Sequence, residues 1–170
     1  MDTTPFNHFV TLNGRFSQFY NDSRDNPSFY NINLKYALTH DLNKTSYLGN
    51  IITLGKAFDR SPLFTFRYRQ IMAGIGLVYY KTIPIKNNNK LILGLDLIRF
   101  YEFINEETSF RVDDEEQTGI SSSLSIGLNF EMNKIKIAPI ISGDFVYRDQ
   151  LGYSPYRRSV DVKFGVLMEL

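Results

Sequence analysis

Two histidines and a dense acidic run are the parts of this sequence whose side chains could do chemistry. His8 and His40 could each act as a general base or bind a metal ion. Neither stands in a His-x-Ser context, and a hydrolase needs its nucleophile within hydrogen-bond reach of its base. The sequence has no cysteine, phosphate-binding loop, dinucleotide fingerprint or zinc-ligand spacing. We therefore expect no catalytic residue, no metal site and no cofactor, and we expect that the protein is not an enzyme.

The acidic run lies between residues 105 and 118, and Arg111 is its only cation. Its acidic members are Glu106, Glu107, Asp113, Asp114, Glu115 and Glu116. Carboxylate oxygens suit hard cations, but the run lacks the spacing of an EF-hand loop. Acidic runs are usually solvated, so we expect a solvent-exposed loop here. Whether this loop binds cations stays open.

The elements that would position these residues are segments in which apolar and polar residues alternate with a period of two, as β-strands do. The alternation is clearest at the end of the chain. The apolar face of this closing strand consists of Val160, Val162, Phe164, Val166, Met168 and Leu170. We expect one domain over residues 1–170 with strands near 6–20, 29–41, 46–58, 63–81, 90–104, 119–132, 135–148 and 157–170.

Alternation alone does not say whether the apolar face of a closed sheet points into the barrel or out of it. A soluble, lipocalin-like barrel points apolar residues inward, and a membrane barrel points them outward. Here the polar faces are rich in Gly, Ser and Thr, aromatic residues cluster near strand ends, and short connections alternate with longer ones. These features favour an all-β, eight-stranded, antiparallel, up-and-down transmembrane barrel with both termini periplasmic. The soluble ligand-binding barrel is the alternative.

The polar faces would fill the lumen, because an eight-stranded barrel is just wide enough for its own side chains. Charges removed from water must be paired, so we expect a plug of ion pairs. Its expected members are Arg15, Lys35, Arg67, Arg69, Asp96, Glu102, Glu131, Lys136, Asp144, Arg148, Asp161 and Lys163. The assignment of Arg67 and Arg69 assumes a change of phase near Gln70, which we interpret as a β-bulge, as at Pro139.

The chain resembles small eight-stranded bacterial outer-membrane barrels of the OmpA/OmpX type and of the PorT-like outer membrane beta-barrel group. The resemblance spans nearly the whole chain and rests on strand count, connection lengths and the closing strand. In that family the last strand is an assembly signal, commonly with a terminal Phe; here Leu170 replaces it, and Phe164 loosely matches the upstream aromatic position. The resemblance implies an outer-membrane location, contact with membrane lipid and lipopolysaccharide, and insertion by the outer-membrane assembly machinery. Residues 1–5 lack the features of a signal peptide, so we expect that signal to have been removed.

The role expected from these features is structural or partner-binding, as a component of a larger envelope complex. A transporter or binder of small apolar molecules is the alternative, with Gly74, Gly76 and Pro139 as candidate wall defects. A lipid A hydrolase is disfavoured because both histidines would lie at the periplasmic end. Contact with a partner or with lipid phosphate is expected at Tyr153, Tyr156, Arg157 and Arg158. The net charge of +1 gives no reason to expect a nucleic acid partner.

Overall fold

The structure is a computed structural model in which β-strands make up nearly all of the described residues. The described residues are 6–20, 28–58, 67–85, 89–107, 112–132, 135–149 and 158–170. The strands are β1 (Phe6–Tyr20), β2 (Ser28–Asn43), β3 (Ser46–Phe58), β4 (Arg67–Pro84), β5 (Lys90–Glu107), β6 (Val112–Met132), β7 (Ile135–Asp149) and β8 (Arg158–Glu169). Within these residues no helix has the length and apolar character needed to span a membrane.

Each strand pairs antiparallel with the next, and β8 pairs with β1, so the sheet closes into a barrel. The predicted eight-stranded antiparallel barrel is therefore confirmed. Following paired residues once around the barrel from Phe9 leads back to β1 at Phe19, ten residues farther along the strand. This stagger means that the strands are tilted relative to the barrel axis, as closure requires.

The two ends of the barrel differ. At the end that holds Phe6 and Leu170, here called the terminal rim, the connections are short. The β2–β3 turn is closed there by Asn43, whose side-chain oxygen accepts hydrogen bonds from the Thr45 backbone N–H at 3.0 Å and from its hydroxyl at 3.1 Å. Asn and Asp commonly close turns in this way. The opposite end, here called the far rim, holds the connections that follow β1, β3, β5 and β7.

At the far rim Arg67 of β4 pairs with Glu107 of β5, and β5 and β6 continue together to the same level. They stay paired as far as Glu107 with Val112, whereas the last pair between β6 and β7 is Thr118 with Asp149. The prediction of a loop over 105–118 is therefore wrong for most of its length, and residues 108–111 lie outside the described part. The reason is physical: strands beyond a membrane do not need an apolar face, so their alternation disappears from the sequence while their backbone pairing continues.

The barrel is apolar on its outer surface and polar inside. The exposed fraction of Leu124 is 67%, of Ile75 63% and of Phe164 61%, and all three point outward. Inward-facing Asn33 and Asp161 are 0% exposed. A soluble barrel would have the opposite arrangement, because its outer face must meet water. The lipocalin-like alternative is therefore wrong, and the wall has the surface of a transmembrane barrel.

The strand β4 keeps one phase along its whole length, so the predicted bulge near Gln70 is wrong. Arg69 pairs with Asn105 and Gln70 pairs with Ile104 in an uninterrupted ladder. Gln70 is buried in the lumen and Arg69 is exposed on the outer face. The prediction that Arg69 belongs to the lumen is wrong, since inward and outward positions must alternate in a strand without a bulge.

The strand β7 also keeps its register past Pro139. The pairs on either side of it are Gly127 with Ile140 and Phe130 with Ile137, so no residue is inserted. The predicted bulge at Pro139 is wrong. Pro139 is exposed on the outer face, and the ladder of β4 runs without interruption through Gly74 and Gly76. The described wall is continuous at all three positions considered as defects.

Candidate functional site

The lumen is the candidate functional site, because the buried charged residues of the described chain lie there. Lys35, Asp96, Glu102, Asp144, Arg148, Asp161 and Lys163 are buried inside the barrel. Lys136 is half-buried near the terminal rim. Arg69 is outside, as described above. Arg15, Arg67 and Glu131 lie in β1, β4 and β6, but their side chains are outside the described part of the structure.

One ion pair spans the middle of the lumen. The Lys35 ammonium, on β2, donates to the Asp96 carboxylate, on β5, at 2.5 Å, and both side chains are nearly buried. A second pair joins Lys163 on β8 to Asp144 on β7. Because each charge has an opposite partner within hydrogen-bond distance, the penalty for removing it from water is partly offset.

A second polar layer lies nearer the far rim around Glu102. Its carboxylate accepts hydrogen bonds from Arg148 Nε and from the Gln70 side-chain amide. Arg148 also donates from Nη1 to the Ser159 hydroxyl at 3.2 Å, and its guanidinium carbon lies 6.0 Å from the centre of the Phe100 ring. Glu102 and Arg148 therefore form the centre of a buried network drawn from β4, β5, β7 and β8.

Apolar side chains separate this lumen from the terminal rim. The Phe9 ring centre lies 4.8 Å from that of Tyr80 and 5.7 Å from that of Tyr47. Leu167, the one apolar residue on the polar face of the closing strand, is 2% exposed and belongs to the same cluster. This apolar layer was not predicted from the sequence. The feature of the sequence that points to this layer is the occurrence of single apolar residues, such as Leu167, on otherwise polar strand faces.

Inward-facing glycines make room for the larger side chains. A Cβ at Gly94 would lie 2.9 Å from Tyr80 Cε1, and a Cβ at Gly119 would overlap Phe100 Cζ. Each aromatic ring therefore lies directly over a glycine on a neighbouring strand, which is how a narrow barrel accommodates aromatic residues. The result is a lumen filled by its own side chains.

One small cavity is described between these layers. A cavity of about 10 Å³ lies beside the Lys35–Asp96 pair, next to Asn13, Tyr80 and Leu167. That volume is close to the minimum for one water molecule. Asn13 Oδ1 and Asp96 Oδ1 are buried there without a hydrogen-bond partner in the described protein. A water molecule in this cavity could hydrate these two oxygens, but the cavity is too small to be a path for a solute.

The two histidines lie on the outer face near the terminal rim. His8 Nδ1 is 2.7 Å from the Tyr36 hydroxyl, and His40 is exposed on β2. In the register of β1 and β2, His8 is paired with Leu38, so His40 is its diagonal neighbour. Within the described ranges no three His, Cys, Asp or Glu side chains come together as a metal site would require.

The charged groups of the far rim form short outward contacts. The Arg99 guanidinium is 2.6 Å from the Asp149 carboxylate and donates to the Thr118 hydroxyl at 3.0 Å. Of the cluster expected to contact a partner or lipid phosphate, Arg158 is exposed at the start of β8. The other members, Tyr153, Tyr156 and Arg157, lie outside the described residues.

Comparison with known proteins gives the fold a context. No protein-family model and no curated protein matches the sequence. Among solved structures, Neisserial surface protein A is similar with a TM-score of 0.62 and 10% identity, covering 96% of this chain and 97% of that chain. Ail, the attachment invasion locus protein of Yersinia pestis, is similar with a TM-score of 0.60 and 9% identity, covering 96% and 98%.

Two further solved structures are also similar to this chain. A major outer membrane protein from Thermus thermophilus has a TM-score of 0.56 and 6% identity, covering 97% of this chain and 99% of that chain. Ail has also been solved in complex with the heparin analogue sucrose octasulfate. The chain thus has the eight-stranded fold of bacterial outer-membrane barrels, and the predicted resemblance is confirmed. The bacterial outer membrane is the location that this fold and the apolar wall indicate.

Proposed function

We propose that this protein is a non-conducting outer-membrane barrel with a structural or partner-binding role, and that it acts as a component of a larger envelope complex. In this proposal both termini are periplasmic and the far rim faces the exterior. The barrel would hold the paired far-rim ends of β4, β5 and β6 and the neighbouring connections at the cell surface. The outward face of β8 would serve as the assembly signal through its apolar residues, from Val160 to Leu170.

The observation that carries this proposal is the buried ion pairing of the lumen. Lys35 with Asp96 and Glu102 with Arg148 lie at two levels, and the apolar layer around Phe9 lies below both. A water-filled pore would leave these side chains solvated, whereas here they are almost completely buried. Moving an ion through the described lumen would require breaking several buried contacts, each of which is costly.

The comparisons support a role at the cell surface. The solved structures of similar fold include a protein named for the neisserial surface and one named for attachment and invasion. Ail binds a polysulfated sugar analogue in one of its structures. By analogy of fold alone, we expect this barrel to present its far rim to an external or envelope partner. We propose no catalytic role, since His8 and His40 lie on the outer wall.

Transport or binding of small apolar molecules is the second candidate, but fewer observations support it. An apolar solute would need a lumenal pocket or an opening in the wall. The described lumen offers the cavity of about 10 Å³ beside Asp96, and its lining is mainly polar. The wall is continuous at Gly74, Gly76 and Pro139. For these reasons we favour the structural or partner-binding role.

Single-channel recording in planar lipid bilayers tests the proposal. The wild-type barrel should give no steady current steps, because its lumen is filled. A variant with Lys35→Ala, Asp96→Ala, Glu102→Ala and Arg148→Ala should show small conducting events if it folds, since both layers of ion pairs are then removed. Folding is checked by the heat-dependent change in gel migration. Steady current steps of one size from the wild-type protein would refute the proposed sealed lumen.

A further inference from the structure

One amide side chain lies on the outer wall with apolar residues on every side. Asn50, on β3, is exposed and points outward. Its neighbours along that face of the strand are Leu48 and Ile52. In the ladders it pairs with Leu38 on β2 and with Leu77 on β4. Ile52 and Leu77 are 51% and 57% exposed, so Asn50 lies within the wall that faces lipid chains in a transmembrane barrel. These five residues are here called the Asn50 face.

The side-chain amide of Asn50 has no hydrogen-bond partner among the described residues. Two neighbouring tyrosines differ in this respect. The Tyr36 hydroxyl lies 2.7 Å from His8 Nδ1, and the Tyr79 hydroxyl donates to that of Ser46 at 3.3 Å. An asparagine amide has two donor hydrogens and an acceptor oxygen. Lipid chains cannot satisfy these groups, so exposing the amide to lipid is costly.

The other side of the barrel wall does not carry such an amide at its described, lipid-facing positions. The large exposed residues there are apolar, as at Leu95, Leu124, Ile126, Ile141 and Phe164. Two outward polar residues on that side have smaller requirements. Arg99 is paired with the Asp149 carboxylate, and Ser122 has a hydroxyl, which has fewer hydrogen-bonding sites than an amide. This asymmetry indicates that the Asn50 face contacts protein rather than lipid.

A protein that covers this face must present a polar group at the same depth in the membrane. A second copy meets this condition by symmetry, because two barrels inserted in the same direction lie at equal depth. A twofold axis along the membrane normal then brings a residue near the axis against itself. The amide is its own complement, since the N–H of each Asn50 can donate to the side-chain oxygen of the other. The apolar residues of the Asn50 face would pack around these two reciprocal hydrogen bonds.

We propose that this protein forms a twofold-symmetric homodimer in the membrane through the Asn50 face, with the two Asn50 amides hydrogen-bonded to each other at the axis. The proposal names a partner for the proposed partner-binding role, and it rests on that role. In such a dimer both far rims are on the same side of the membrane. The dimer therefore presents the far-rim connections of two barrels side by side.

Sedimentation equilibrium in density-matched detergent micelles tests the proposal, because it gives the dissociation constant of the dimer. The main variant is Asn50→Leu, which removes the amide and keeps a side chain of similar size. Asn50→Gln keeps both the donor and the acceptor. The matched control is Ser122→Leu, which replaces an exposed outward polar residue on β6, across the barrel. All proteins are checked for heat-dependent gel migration before the measurement.

The wild type should dimerise, and Asn50→Leu should raise the dissociation constant roughly tenfold. The variant loses two hydrogen bonds, and each such bond within a membrane strengthens association about threefold. Asn50→Gln and Ser122→Leu should dimerise nearly as tightly as the wild type. A wild type that is monomeric at every protein-to-detergent ratio would overturn the proposal, with lipid or a different protein as the occupant. An Asn50→Leu variant that dimerises as tightly as the wild type would overturn it as well.

Cross-linking gives a second test that leaves Asn50 in place, in case Asn50→Leu does not fold. The sequence has no cysteine, so one introduced cysteine is the only thiol. A short bifunctional thiol reagent should join Ile52→Cys barrels into dimers. It should give little product with Ile126→Cys, because Ile126 is 50% exposed, like Ile52 at 51%, but lies on β6. Equal yields from the two positions would contradict the proposed interface.

The outcomes also separate this proposal from the one on which it rests. A barrel that conducts ions but dimerises through Asn50 would contradict only the sealed lumen. A sealed barrel that sediments as a monomer would contradict only the dimer.

Discussion

Replacing Arg148 with methionine should destabilise the barrel by about 3–5 kcal/mol, because the Glu102 carboxylate would stay buried without its cation. In the wild type the side chain of Glu102 is 0% exposed and that of Arg148 is 2% exposed. The Gln70 amide would still donate to Glu102, but a neutral amide does not cancel a negative charge. The variant also removes the hydrogen bond from Arg148 to Ser159.

Removing both charges together should recover most of this loss. Replacing a buried ion pair by neutral residues of similar size is often neutral or even stabilising. In the double variant Arg148→Met with Glu102→Gln, the new glutamine keeps an oxygen that can accept from Gln70. The single and double variants then form a cycle, whose coupling free energy should reach about 2–3 kcal/mol.

The measurement is urea unfolding of the barrel folded into lipid vesicles, followed by far-UV circular dichroism because the sequence has no tryptophan. Linear extrapolation then gives the free energy of unfolding in water. The control is Asp149→Asn, which breaks the outward pair with Arg99. Those side chains are 38% and 53% exposed, so the loss should stay below about 1 kcal/mol. The reasoning would be refuted if breaking the buried pair and breaking the exposed pair lowered the free energy of unfolding equally. It would also be refuted if the double variant were as unstable as Arg148→Met.

Two further predictions test the wall and the packing of the lumen. Leu124→Arg should destabilise the barrel by about 2–4 kcal/mol in urea titrations, because Leu124 lies in the apolar wall; an unchanged midpoint would contradict a lipid-facing position. Gly94→Ala should cost about 1–3 kcal/mol in the same titration, since its Cβ would overlap Ser125 Oγ and lie 2.9 Å from Tyr80 Cε1. Gly143→Ala is its control, because no atom lies within 4 Å of a Cβ there, and equal losses at the two glycines would show that lumen packing is not the cause.

The strands were largely predictable from the sequence because each membrane-crossing segment has one face in lipid and one in the lumen. That requirement produces the period-two pattern, and in β3 the expected and observed bounds agree at Ser46–Phe58. In β6 the expected start at residue 119 was seven residues too late, since the strand begins at Val112. The segment beyond the wall has no lipid-facing side, so its sequence carries no alternation.

The charged positions were harder to assign. The sequence alone favours an inward-facing Arg69, because the aromatic residues before it stand at even positions and imply a change of phase. Only the ladders of β4 with its two neighbours establish that Gln70 points inward and Arg69 outward. A single strand does not contain this information, because a shift of one residue exchanges its faces without changing the pattern.

The sequence by itself determined that the chain forms long alternating strands, that the closing strand needs a partner, and that charges accumulate on one face. These are local properties, since each depends on neighbouring residues of one strand. Only the tertiary structure decided which charges meet. Lys35 and Asp96 are separated by 61 residues and come together because closure with a ten-residue stagger places β2 opposite β5 at that height. Burial then makes this pairing necessary, because an unpaired charge in the lumen would be too costly.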